Sequence, residues 1–127
     1  MNISYDQVVD WLESYGSAWE TGDSDAAAAL FTPDAEYFET PFDPPFTGSK
    51  GIGSYWADGT GSQRDIHFAY RILNIFDNHA LAHWQAEFYR ITSGKHVELD
   101  GIFFLEFAPN GRCLAFREWW HRRETAP

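Results

Sequence analysis

Apolar positions along the chain change their spacing once, near residue 65. Before that point they recur every three or four residues, and after it they run in long β-type stretches. Ser4 to Gln7 has capping-box spacing, and Tyr5, Val8, Val9, Leu12, Tyr15 or Gly16, and Trp19 follow at helical intervals. This predicts a helix of about four turns, closed near Gly22. Asp23 or Ser24 can cap a second, shorter helix through the alanines at 26–29 to Leu30 and Phe31, with Pro33 as its stop. A short strand then opens the stretch AEYFETPFDPPFTG at 35–48. Ser49 can cap a third short helix carrying Ile52, Tyr55 and Trp56, ahead of a Gly-rich break from Asp58 to Ser62.

The second half predicts strands at 65–76, 80–92, 96–108 and 112–122. Asp77-Asn78, Ser93-Gly94 and Pro109-Asn110-Gly111 supply the turn residues of an antiparallel meander. Helices first and hairpins afterwards imply an α+β fold: a curved antiparallel β-sheet of four long strands plus one short strand, packed on three N-terminal helices. Alternation separates the faces. Ala82, Trp84, Ala86 and Phe88 form an apolar face, as do Gly101, Phe103, Leu105 and Phe107 in the next strand. In the last strand Leu114, Phe116, Glu118 and Trp120 share one face, which is apolar except for Glu118. A lone acid on such a face either pairs with a buried Arg, Tyr, Trp or His or marks a functional site.

A second acid stands out by position. Glu39 directly precedes Thr40-Pro41, and a proline offers no N–H to a ladder and pushes the chain before it toward extended conformation. Glu39 is therefore expected at the last rung of the short strand, beside a rigid aromatic loop. A carboxyl at such an apolar mouth has its pKa raised toward neutrality, as a general base requires.

Composition narrows the function. The 127 residues, 44% hydrophobic, suit one domain spanning 1–127. Six Trp, six Tyr and eleven Phe exceed what a small core needs, which points to a ring-lined ligand cavity or a large apolar contact with a second subunit. Nineteen acids against nine bases, a formal charge of -10, argue against nucleic acid. No apolar run approaches the roughly 20 residues that span a bilayer, so no membrane partner is expected and cytoplasm is the default location. Cys113, the single cysteine, has no internal disulfide mate. His67, His79, His83, His96 and His121 lack metal-ligand spacing, so neither metal nor cofactor is expected.

The order of elements, with YGSAWETGD at 15–23, AEYFETPFDPPFTG at 35–48 and FAPNGRCLAFREWW at 107–120, resembles the nuclear transport factor 2-like superfamily. That superfamily of cone-shaped α+β domains includes ketosteroid isomerases and SnoaL-like polyketide cyclases, and the resemblance covers roughly residues 5–122. It implies a base at Glu39 and a hydrogen-bonding hydroxyl at Tyr15. The protonated acid that steroid isomerases carry, itself a standard example of a carboxyl kept neutral, falls here on Phe103. The isomerase constellation is thus incomplete, and Glu118 is the acid available to complete it. The expected cavity has walls of Trp19, Phe42, Phe46, Tyr55, Trp56, Trp84, Phe88, Phe103 and Trp120.

Two functions fit these expectations. One is a cofactor-free enzyme of isomerase, cyclase or hydratase type, moving protons on a hydrophobic cyclic or polyketide-like substrate with Glu39, Tyr15 and Glu118. The other is a non-catalytic ligand-binding or dimerisation module. Tyr89, Ile102, Phe104, Trp119 and His121 make the outer sheet face too apolar for free solvation, and predict a homodimer through it.

Overall fold

Ser4 begins the first helix as its spacing predicts. Its side chain accepts the Gln7 N–H at 3.1 Å while the Gln7 amide accepts the Ser4 N–H at 3.0 Å. Helix α1 (Tyr5–Thr21) closes on Gly22, whose φ of 67° is the left-handed cap conformation. Its buried stripe includes Val8, Trp11, Leu12 and Tyr15, whereas Tyr5 in the first turn is exposed. Trp11, which the stripe passed over, donates its indole N–H to the Leu30 carbonyl at 3.0 Å. The structure, a computed structural model, describes residues 2–127.

Helix α2 (Ser24–Ala28) is capped by Asp23 and ends earlier than its alanines suggest. The Leu30 carbonyl already accepts the Cys113 N–H at 2.8 Å, so the chain has turned into strand β1 (Phe31–Phe38). Pro33 lies inside β1 rather than stopping a helix. It is tolerated because the pairing register shifts between Phe31 and Glu36, leaving no ladder bond for it to make. Strand β2 (Phe46–Thr47) leads into helix α3 (Gly48–Thr60). Thr47, not Ser49, occupies the N-cap, and the helix runs on through Asp58 and Gly59.

The meander follows as β3 (Gln63–Phe76), β4 (His79–Arg90), β5 (His96–Phe107) and β6 (Cys113–Thr125). Asp77, Gly94 and Gly111 take positive φ in its turns. The sheet has six strands in the order β2-β1-β6-β5-β4-β3, one more than the sequence suggests. It is not wholly antiparallel, because β1 runs parallel to β6. The long intervening chain permits this, since only hairpin neighbours must be antiparallel. The first and last strands of that order do not pair, so the curved sheet stays open and its helices cover one face. No described helix is long and apolar enough to cross a membrane.

Rings pack the closed end of this cone. Phe116 stacks on Tyr37 at 4.1 Å between centroids and lies 4.8 Å from Phe103 and 6.0 Å from Phe31. Gly101 faces Trp84 across the β4–β5 ladder. A methyl group there would meet the Trp119 carbonyl at 2.5 Å and the Trp84 indole at 2.9 Å. The glycine is what lets that tryptophan lie flat against the next strand.

Candidate functional site

Strand β1 turns Tyr37 inward and ends one residue before Glu39, so Glu39 follows the last rung rather than forming it. The Trp120 indole donates to the Glu39 carbonyl at 3.2 Å, tying the strand end to β6. On the other face the Arg117 guanidinium lies 4.1 Å above the Phe38 ring. With Phe38 held outward, alternation sends the Glu39 side chain to the cavity, which it lines.

Strand β6 brings Glu118 to the same space. It stands directly opposite Phe103 in the β5–β6 register, so an acid occupies the level of the cone where the resemblance places one, on the adjacent strand. Glu118 is only 8% exposed and has no salt-bridge partner among the described residues. Burial pushes its carboxyl well above the usual carboxylate range, the Glu39 charge adds to this, and a polar contact from the Tyr37 hydroxyl opposes both. Of the partners that would have made Glu118 a purely structural acid, only a tyrosine is present, and the Tyr37 contact lowers the Glu118 pKa without offsetting burial.

Three tyrosines surround the two acids. Tyr15 is buried among Trp11, Trp56, Phe103 and Phe116, with centroids 5.0–5.8 Å away. Burial first, and Glu118 second, raise its pKa and that of Tyr37. Tyr55 is raised by burial and then by the charge of Glu39 beside it. All three stay neutral hydroxyls, able to donate to an oxygen of a bound molecule.

The cavity that these groups face measures about 170 Å³. Six of the nine expected wall residues line it: Trp19, Tyr55, Trp56, Trp84, Phe88 and Trp120. Phe42, Phe46 and Phe103 do not. Phe42 is 94% exposed, because the loop after β1 bends outward, held by a hydrogen bond from Thr40 to Asp43 at 3.1 Å. Phe46 stacks on Tyr55 at 4.3 Å and so stands behind the wall. Phe103 is fully buried, 5.0 Å from the Trp84 ring and 5.2 Å from Tyr15, beneath the floor. The polar side chains that sequence reasoning missed include Tyr37, Gln63, Arg90 and Arg122. Gln63 accepts the Trp19 indole N–H at 2.9 Å. Strand parity could have found the other three, since Tyr37 is two residues from Glu39, Arg90 two from Phe88 and Arg122 two from Trp120.

Outside the cavity, His83 contacts Asp100 at 2.8 Å, His96 faces Glu87 at 3.4 Å and His79 faces Glu106 at 3.7 Å. Among the described residues no three His, Cys, Asp or Glu side chains are grouped to hold a metal ion. Cys113 is fully buried and donates to the Ala115 carbonyl at 3.2 Å, and burial raises its thiol pKa. It packs as a small core residue.

An open α+β cone with acids and hydroxyls converging on an apolar cavity is the architecture of a small-molecule site. The SnoaL-like domain family matches residues 11–116, and the chain belongs to that family. No curated protein matches the sequence. Solved structures share the fold at low identity. A computationally designed 17-OHP binder has a TM-score of 0.80 and 14% identity, over 94% of this chain and 97% of that one. SalBIII, an epoxide hydrolase/cyclase-like enzyme in pyran ring formation in the polyether salinomycin, has a TM-score of 0.78 and 15% identity, over 91% and 92%. A Catenulispora acidiphila protein of ketosteroid isomerase-like fold, solved with trimethylamine, has a TM-score of 0.76 and 13% identity, over 87% and 84%.

Proposed function

We propose that this chain is a cofactor-free acid/base enzyme of isomerase, cyclase or hydratase type, acting on a cyclic substrate in the central cavity. One observation carries the reading: two carboxyls line one small cavity, and burial first, with the charge of Glu39 second, raises the pKa of Glu118. Carboxyls whose environments differ in this way divide the work of base and acid. Glu39 takes a proton from a carbon next to a carbonyl, or from water. Glu118 and the Tyr15 hydroxyl donate to the oxygen where negative charge develops. Tyr37 orients Glu118, and Tyr55 does the same for Glu39. The SalBIII and ketosteroid isomerase-like neighbours support the reaction class through shared fold alone.

The test is deuterium uptake from heavy water into a panel of cyclic ketones and lactones, followed by proton NMR. Wild type accelerates uptake for the ketones that raise its melting temperature, and Glu39→Gln loses about 10²–10⁴-fold of that rate while the melting shift survives. Equal rates in the two proteins remove Glu39 from the mechanism. Ligand-induced stabilisation with no exchange in either protein leaves a binding module, the use to which the designed 17-OHP binder puts this fold.

We also propose a homodimer through the outer sheet face. Trp119 is 49% exposed and Tyr89 38% exposed on that face, which favours a partner surface over solvent.

A further inference from the structure

The cavity is small. At about 170 Å³ it is close to the roughly 150 Å³ engineered cavity that encloses benzene. It is well below the roughly 300–1,000 Å³ of ordinary drug-sized pockets. A single ring suits a space of that size among Trp19, Trp56, Trp84 and Trp120, and four fused rings exceed it. The surplus of aromatic residues fills the closed end of the cone instead of enlarging the cavity.

The mouth is positive in a negative chain. The formal charge is -10, yet two of the lining residues are Arg90 and Arg122. Both are on inward positions, continuing the rows of Phe88 in β4 and of Glu118 and Trp120 in β6. A single carboxylate serves the two: Glu124 contacts Arg90 Nε at 2.7 Å and Arg122 Nε at 3.4 Å. Lys95 adds a further positive charge near Glu124. Among the described residues neither guanidinium has an ion pair with any acid besides Glu124. Two guanidiniums against one carboxylate leave one cation unmatched, and a planar guanidinium takes a carboxylate in two parallel hydrogen bonds.

Distance connects the two ends. Glu118 and Arg122 are four residues apart on one strand, about 13 Å at roughly 3.3 Å per residue. We propose that the ligand is a single-ring molecule with a carboxylate on a short arm, the ring among the tryptophans and the carboxylate on Arg122 and Arg90 at the mouth. This rests on the proton-transfer reading for what happens at the ring end, and it assigns Arg122 as the residue that selects for charge.

The probes are 3-(2-oxocyclohexyl)propanoate, its methyl ester and progesterone, each titrated calorimetrically into the wild-type chain at low and high salt. The acid is expected to bind about tenfold more tightly than the ester, one charge-assisted pair's worth of affinity. Progesterone is expected to bind more weakly than either, and the preference for acid is expected to shrink in high salt. Arg122→Gln weakens binding of the acid far more than binding of the ester and reduces that preference to about twofold or less. An ester that binds as well as the acid overturns the proposal, as does progesterone binding as tightly as the acid, no binding of the acid at millimolar concentration, or a preference that survives Arg122→Gln. Deuterium uptake at the ring carbon is read in the same samples. Tight acid binding without Glu39-dependent uptake removes the proton-transfer reading and keeps this one. Uptake on the ester at the rate of the acid does the opposite.

Discussion

Glu118 and Asp100 are carboxyls on neighbouring strands of one sheet, and the two faces of that sheet push them in opposite directions. Outside, the Gln85 amide and His83 hold Asp100 at 2.8 Å each, and its pKa falls. Inside, Glu118 finds rings and a neutral hydroxyl, and burial raises its pKa. Other acids of the outer face also have basic partners: Glu98 has Arg123, Glu87 has His96 and Glu106 has His79. What separates a candidate site from a solvated face here is therefore the absence of a cation beside the acid, more than the presence of the acid.

The largest expected effect tests whether the inner face is the energetic core. Phe116 is fully buried against Tyr37, Phe103 and Phe31. Phe116→Ala should cost about 3–5 kcal/mol in urea unfolding, as for other large aromatic truncations in cores. Trp119→Ala, three residues on and facing out, removes a larger side chain that is already half exposed. It should cost clearly less, and if the proposed dimer forms its effect should grow at high protein concentration. Equal losses at low concentration would erase the distinction between the faces.

The next effect isolates the buried acid. The folded pKa of Glu118 lies above its unfolded value near 4.5. Between those two values the native state holds a proton that the unfolded state has lost, so stability falls as pH rises through that window, by up to about 1.4 kcal/mol per pH unit. Glu118→Gln keeps the shape and removes the titration. Its stability relative to wild type should therefore rise with pH above about 4.5 and level off once wild-type Glu118 ionises. Denaturant midpoints measured from pH 4 to 9 give the answer, and a flat difference would mean that the acid is not buried without a partner.

How much of this was legible beforehand follows from which contacts are local. Helix α1 was readable from Ser4, Gln7 and Gly22 because capping is settled within a few residues. The inward set of β4 was readable from alternation, and so was the placement of Glu118 beside Trp120. Pro33 misled because its tolerance in β1 depends on a register shift against β6, some 80 residues away, which no local pattern encodes. The wall failed at Phe42, Phe46 and Phe103 for a similar reason. An aromatic residue near a cavity can line it, back it or leave it, and the choice depends on rings brought in by other elements. Tyr37, Arg90 and Arg122 were recoverable, since parity alone puts them in the inward rows.

The smallest effect carries the opposite sign and completes the comparison. The folded pKa of Asp100 lies below its unfolded value near 3.8, with the Gln85 amide as the larger cause and His83 next. The stability it contributes is present above the unfolded pKa and is lost as pH falls through the folded one. Asp100→Asn should therefore be slightly less stable than wild type near neutrality and equal to it in strong acid, the reverse of the trend at Glu118. The amplitude stays small because Asp100 is open to solvent, where water and salt screen the contacts with Gln85 and His83. Added salt should flatten the Asp100 difference and leave the Glu118 one nearly intact, because ions reach the outer face and do not reach the inner. If salt flattens both alike, Glu118 is as hydrated as Asp100, and a carboxyl in water would not be held protonated to act as the acid.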